Sequence, residues 1–457
     1  MKLVAFIQNR KIRRLFEFPQ SLYSHFLLLI PLIASQFFQR MFHIIDNRFV
    51  GILGSDALLI HNVQYNFILL GQLMSVATTT SMLVFWKRKE AQGKQGSLFL
   101  IHFLSALILS FLCAVVFFVL RSHLAEHFEI SSYLLQLTKQ YFIIGIINMV
   151  LQCIYGSIEG SLIATGKTKY CMFFSALLVA GNLVLDFISI QLFFTQENRG
   201  IGAPLFSIGL STTFLLLLVI SIGIVIIKRE ADGWKRFPIK DILPVWSSEI
   251  GIAFVRSLLP LIYIYQLALI HASRGFIVSY QLTLHLAYLF CLPVGAGLQI
   301  AVSNASKAQS EEKDNSQWFN VFFYTALLPT FFLLLFGALI PLPLIKILYN
   351  YEVPADHFTF IPVYFYACIV GQIGHVFSIP IRARKRNLVM TKNFLISEAG
   401  VLIGITQILI WLKQATPATI CWATMAFTAT YLFLNSYSLR KILKNEQQLR
   451  FIESASV

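Results

Sequence analysis

Long apolar stretches separated by short polar turns run the length of this chain. They fall at 22–50, 57–86, 98–120, 138–158, 171–194 and 201–227, and, after a polar loop at 228–242, at 243–271, 276–303, 318–341, 358–381, 394–413 and 418–439. Each has the length a helix needs to cross a hydrocarbon core of about 30 Å. The pattern predicts an all-α polytopic membrane protein with twelve transmembrane helices in two six-helix bundles. A transmembrane barrel would instead need alternating segments of about 10 residues. Proline and glycine inside several runs are compatible with spanning helices.

Composition points the same way. The chain has 457 residues, 57% of them hydrophobic and 12% charged, with a mean hydropathy of +0.72. Soluble domains do not look like this. The net charge of +15 would suit a nucleic-acid partner if the basic residues formed a patch. They lie instead in short loops, as Lys87-Arg88-Lys89, Lys235-Arg236 and Arg382-Ala383-Arg384-Lys385-Arg386, so no nucleic-acid partner is expected. Those are the even-to-odd loops, and the excess of Lys and Arg there places them and both termini in the cytoplasm.

The expected layout is a cytoplasmic amphipathic N-terminus at 1–17, carrying Arg10, Lys11, Arg13 and Arg14, then a first lobe at 18–227. The loop at 228–242, a second lobe at 243–440 and a cytoplasmic tail at 441–457 follow. The first apolar run has no small-residue cleavage site after it and reads as a retained span, not a removed leader. The expected location is the plasma membrane, the inner membrane of a bacterium. All six cysteines fall inside predicted spans without a CxxC pair, so neither a disulfide framework nor a metal site is expected. An intramembrane enzyme would need a constellation such as HExxH, and none is present, so the chain is not expected to be an enzyme.

The two halves repeat at an offset near 220. Ala164-Thr165-Gly166-Lys167, after the fourth span, matches Ala383-Arg384-Lys385-Arg386, after the tenth. Gly54 with the following Gln64-Tyr65 matches Gly275 with Tyr280-Gln281. Six spans is an even number, so both halves point the same way, related by an axis along the membrane normal. Two such bundles around a cavity form a transporter architecture.

Candidate chemistry concentrates in the first half. Asp186 is the charge in the apolar run Cys171–Phe194. A charge at the centre of a spanning helix costs at least about 2.5–3.5 kcal/mol, so such a residue faces a protein interior or an aqueous cavity. Asn182, Ser175 and Ser189 share its helix face. Two readings stand: a coupling or substrate site, or a neutral Asp satisfied by Asn182 that only packs helices. The first span carries Pro31, which frees one backbone hydrogen bond and offers a place to bend. Beyond it, Gln39, His43 and Asp46 share a face at i, i+4, i+7. Asp46 could alternatively cap the helix end and pair with Arg48. His43 stands within reach of both Asp46 and Arg40 and could make the site responsive to mild acid; the other reading is a histidine that hydrogen-bonds Gln39.

Several stretches resemble the multidrug and toxic compound extrusion (MATE) family. Pro31 through Asp46-Asn47-Arg48-Phe49-Val50-Gly51-Ile52-Leu53-Gly54 is similar to its first helix. Gly160-Ser161-Leu162-Ile163-Ala164-Thr165-Gly166-Lys167 resembles its helix 4–5 connection, and Gly181-Asn182 to Asp186 its Gly-Asn-x-x-x-Asp helix 5. Gly200-Ile201-Gly202-Ala203-Pro204-Leu205-Phe206-Ser207 resembles the entry to helix 6. The pieces occur in the family's order. The resemblance implies an antiporter that exports organic cations or drugs by alternating access, driven by H⁺ or Na⁺, with no other cofactor. It assigns ion coupling to Asp46, Asn182, Asp186 and, in place of the family's Thr, Ser207, with Gln39 in the same cavity. The implied partners are a cationic, amphipathic small molecule and membrane lipid, and the implied state is a monomer.

The departures bear on mechanism. Phe42-His43 replaces a frequent Tyr-Asn pair, and Glu90-Ala91-Gln92-Gly93 replaces the Gly-Ala-Gly turn after helix 2. Glu249 is available as a second-lobe acid but stands a turn early; it could equally pair with Lys240. Helix 10 has His375 and no Asp, which favours proton coupling through the first lobe. The alternative reading is a flippase for lipid-linked oligosaccharide or lipid II, which would use in-span cations such as Arg40 and Arg256 to grip pyrophosphate. His61, His102 and His285 read as packing residues.

Overall fold

The computed structural model describes residues 21–53, 55–127, 132–193, 200–230, 237–269, 289–311, 341–349 and 377–455, with isolated positions at 233 and 235 and scattered ones within 279–287, 322–330 and 353–365. The N-terminal basic segment at 1–17, His285, His375, the side chain of Arg256 and most of the predicted spans at 318–341 and 358–381 lie outside the described residues.

Six long helices open the chain: α1 Ser21–Ile52, α2 Ser55–Trp86, α3 Gln95–His127, α4 Ser132–Ala164, α5 Thr168–Phe193 and α6 Gly202–Glu230. The polar loop leads into α7, Ile239–Leu269. Later come α8 Leu292–Ser310, α9 Pro341–Tyr349, α10 Ser378–Ala383 and α11 Asn387–Leu395. A π-helical stretch, Ile396–Ile403, continues α11 into α12, Gly404–Trp411, and α13 runs Pro417–Ala455. The last helix therefore continues through the segment expected as a tail, because Lys, Glu, Gln, Leu and Arg at 441–450 all favour helix. Among the described residues, six helices are long and apolar enough to cross a membrane: Leu27–Ile52, Gln95–His123, Leu135–Ala164, Thr168–Phe193, Gly202–Arg229 and Asn387–Trp411.

Polar residues face inward and apolar ones outward, the reverse of a soluble helix. On α5, Leu183, Val184, Phe187 and Ile188 are exposed, while Ser175, Asn182, Asp186 and Ser189 are buried. On α3, Ile108, Phe111, Leu112 and Val119 point away from the protein, as side chains facing lipid would. Inside, α2 and α4 approach closely at Gly71, where an added Cβ would stand 2.6 Å from the Met149 carbonyl oxygen. Thr79 Oγ1 ties the same two helices by donating to the Gly156 carbonyl at 2.8 Å. His61 meets the Tyr141 hydroxyl at 3.0 Å and His102 meets Ser81 Oγ at 2.9 Å, as packing histidines should.

The internal repeat is visible in the turns. After α4, Gly166 has φ 78°; its N–H donates to Ile163 O at 3.0 Å and that of Lys167 to Leu162 O at 2.8 Å. After α10, Lys385 has φ 57°; its N–H donates to Arg382 O at 2.9 Å and that of Arg386 to Ile381 O at 3.1 Å. Every position is displaced by 219 residues, and both turns are the paired-bond helix stop that needs a left-handed residue. Lysine in that conformation costs roughly 1–2 kcal/mol. The ammonium of Lys385 lies 5.0 Å from the centre of the Phe85 ring, a compensating contact with the end of α2.

That contact belongs to a set joining the two halves at their basic end. Lys87 Nζ donates to Asn304 Oδ1 at 3.1 Å, Arg88 Nη1 to Ala383 O at 3.2 Å, and the Lys89 N–H to Ser310 Oγ at 3.3 Å. Burial, with Lys307 nearby, pulls the Lys87 ammonium down to about 8. Nearer the middle, Gln36 Nε2 reaches Gln299 Oε1 at 3.4 Å. The halves are thus closed against each other at this end.

Candidate functional site: a buried carboxylate pair

The parallel helices α1 and α5 meet along a polar seam. At its lower end Ser35 Oγ donates to the Cys171 carbonyl at 3.1 Å and lies 2.8 Å from Ser175 Oγ. At its upper end stand Asp46 and Asp186, 2% and 0% exposed. Asn182 bridges them: its Nδ2 donates to Asp46 Oδ1 and, at 2.7 Å, to Asp186 Oδ2. The i,i+4 spacing on α5 sets the second bond, and side-by-side packing of α1 sets the first. The reading in which Asp46 caps the end of its helix does not hold, since α1 continues to Ile52 and Asp46 is turned onto α5.

A third helix completes the cluster. Ser211 of α6 donates to Asp186 Oδ1 at 3.1 Å and stands 3.4 Å from Asn182 Oδ1; Thr212 Oγ1 stands 3.5 Å from the same amide oxygen. Ser207, expected to share this site, lies a turn away, its Oγ 2.7 Å from Ser189 Oγ. Two carboxyl groups on one amide in a buried site cannot both ionise without heavy cost, so the pair shares at least one proton or a cation.

Gln39 and His43 lie further down the same face of α1. The His43 ring meets the Gln72 side chain at 2.7 Å, so this histidine is tied to α2 instead of to Gln39. Gln39 Nε2 donates at 3.1 Å to Glu159 Oε1 of α4 and stands 3.5 Å from Ser175 Oγ. Pro31 sits in the interior of a continuous α1. Glu249 is occupied elsewhere. Both its oxygens are gripped by Arg382, at 2.8 and 2.9 Å, and Oε1 also accepts from Asn387 Nδ2. The expected Lys240 partner is replaced by an arginine from the repeat turn, because only there can a fork-shaped cation reach both oxygens.

Residues 31–188, the stretch that holds Pro31, Asp46, Asn182 and Asp186, match the MatE family. That stretch, about a third of the chain, is similar to the MATE family. No curated protein matches the sequence. Its fold is that of solved relatives. A Vibrio cholerae MATE transporter, VcmN, in an Asp-to-Asn form, superposes with a TM-score of 0.76 at 14% identity, over 93% of this chain and 97% of that one. A MOP superfamily transporter from Pyrococcus furiosus, described as having a binding pocket of reversed polarity, gives 0.75 at 14% identity, over 91% and 95%. An outward-facing multidrug resistance MATE transporter gives 0.74 at 14%, over 92% and 95%.

Sequence reasoning missed Ser211, Thr212 and Glu159. Ser211 and Thr212 stand one turn beyond Ser207 in Ser211-Thr212-Thr213, a hydroxyl run in an apolar helix that was itself the signal. Glu159 falls one residue past the apolar run drawn at 138–158; α4 continues to Ala164 and carries it inside.

Proposed function

We propose that this chain is a membrane transporter of the MATE family and works as a secondary antiporter. In this reading it exports cationic, amphipathic small molecules in exchange for protons, with Na⁺ as the alternative coupling ion, by alternating access between two six-helix lobes at 18–227 and 243–440. It would work as a monomer in the plasma membrane with both termini in the cytoplasm. The observation that carries the reading is the Asn182 bridge between Asp46 and Asp186. Such a pair binds a proton or a cargo cation but not both, which is the exclusion an antiporter requires. A proton entering from the outer side neutralises the pair and releases the cation. With the charge gone, the lobe can close and turn the site inward. Asn182 and Ser211 keep that neutral pair hydrogen-bonded in a low dielectric.

The test is transport in sealed proteoliposomes: uptake of a fluorescent organic cation against an imposed pH gradient, and separately against a Na⁺ gradient. Proton-driven accumulation supports the reading. Accumulation with neither gradient would remove it.

A further inference from the structure

Glu159 is a buried carboxyl that the coupling site does not use. It is 6% exposed, faces the α1–α5 seam, and accepts a hydrogen bond from the neutral Gln39 amide. Among the described residues no lysine or arginine pairs with it. The titratable side chains that feel its charge are Tyr155, one turn earlier on α4, and Cys171 of α5. From α2, Thr79 and Met82 pack against the neighbouring Gly160, and neither titrates.

Beside Gln39, which bonds Glu159, and His43, one turn before Asp46 on α1, lies a small cavity of about 20 Å³, room for one water molecule. Gln39, His43, Gln72, Gln152, Tyr155 and Ser175 supply its polar lining. Among the described residues the Tyr155 hydroxyl, in a residue 3% exposed, makes no hydrogen bond of full geometry, although the Ser175 side chain stands close by. A buried hydroxyl without a partner is costly, and a water in this cavity would satisfy it. Along α1, Gln39, His43 and Asp46 follow one another on one face, spanning about 10 Å of helix axis. An acid, an imidazole, a water-sized polar cavity, a phenol and a second acid thus stand in sequence.

We propose that Glu159 is a second proton-carrying site in this protein, exchanging protons with the Asp46–Asp186 pair through the cavity beside His43 and Tyr155. It rests on the proton-antiport reading and deepens it by giving the proton an exit toward the basic end. In the transfer, the O–H bond of the outer carboxyl breaks and an O–H bond forms on a Glu159 oxygen. The groups between each accept one proton and give one up, so the outer site ends ionised and Glu159 neutral. Gln39, donating to Glu159 Oε1, holds the carboxyl toward the seam as a positioning residue.

The experiment is infrared difference spectroscopy of the reconstituted protein between acid and alkaline pH, with proton-driven cation uptake measured on the same samples. Glu159→Gln is expected to lose one protonated-carboxyl C=O band, distinct from those lost in Asp46→Asn and Asp186→Asn, and to lose proton-driven accumulation. Glu159→Asp is expected to restore part of both. An unchanged carboxyl spectrum and normal accumulation in Glu159→Gln would overturn the proposal. Should Glu159→Gln fail to insert, Tyr155→Phe takes its place: slowed uptake with the band retained is expected, and wild-type uptake overturns the relay. If wild-type protein shows no proton-driven uptake while its Glu159 band still titrates, the antiport reading has failed and not the site itself.

Discussion

Asn182 donates to Asp186 across a single turn of α5, at 2.7 Å, with the same amide nitrogen that it turns toward Asp46. One amide therefore positions two acids from two helices. Removing it leaves both carboxyls short of a donor. A hydrogen bond to a charged group is worth about 1.5–3 kcal/mol, so Asn182→Ala is expected to lower coupled transport by roughly one to two orders of magnitude. Initial rates in proteoliposomes under a fixed pH gradient check this; a wild-type rate would detach Asn182 from the site.

Ser211 and Ser207 make a paired comparison. Ser211 reaches Asp186 and Ser207 reaches Ser189. Ser211→Ala should reduce coupled uptake about ten-fold, the loss of one charge-assisted bond, and Ser207→Ala should do little. The opposite order would return the role to Ser207.

This pair also shows what was readable in advance. Asp46, Asn182 and Asp186 were legible because a charge or amide in an apolar run is costly and has few explanations. Which serine of α6 meets them was not, because the choice depends on how far α6 slides along α5, a packing fact that local pattern does not carry. Glu159 was hidden by a boundary: the apolar run ends before the helix does. Glu249 was seen, but its partner Arg382 lies 133 residues away, in the turn that repeats the one after α4. The repeat was legible as a residue match and reappears as the same pair of backbone hydrogen bonds.

The Glu249–Arg382 pair has both side chains nearly free of solvent, at 3% and 6%. Breaking a buried pair by removing one partner costs about 3–5 kcal/mol. Arg382→Ala should therefore lower the melting temperature in detergent well below that of the wild type, and Arg382→Met with Glu249→Gln should recover part of the loss. A melting temperature unchanged in the single variant would show that the pair contributes nothing net.

Lys87 gives a pH signature. Its folded-state value of about 8 lies below the 10.5 of an ordinary lysine because burial and Lys307 oppose the charge. Between those two values the unfolded chain binds more protons than the folded one, so stability rises with pH from about 8 to 10.5 and is level below 8. Lys87→Met should flatten that rise and raise the melting temperature at pH 7. Melting curves across that range, wild type against variant, decide it; parallel curves would contradict the burial argument.

The most direct test of the carboxylate pair as the coupling site is proton movement itself. Proteoliposomes loaded with a pH-sensitive dye are exposed to an organic cation, with wild type compared with Asp186→Asn and with Asp46→Asn. The account predicts substrate-dependent proton flux in the wild type and its loss in both variants, with the proteins still inserted. Normal proton flux in either variant would contradict it.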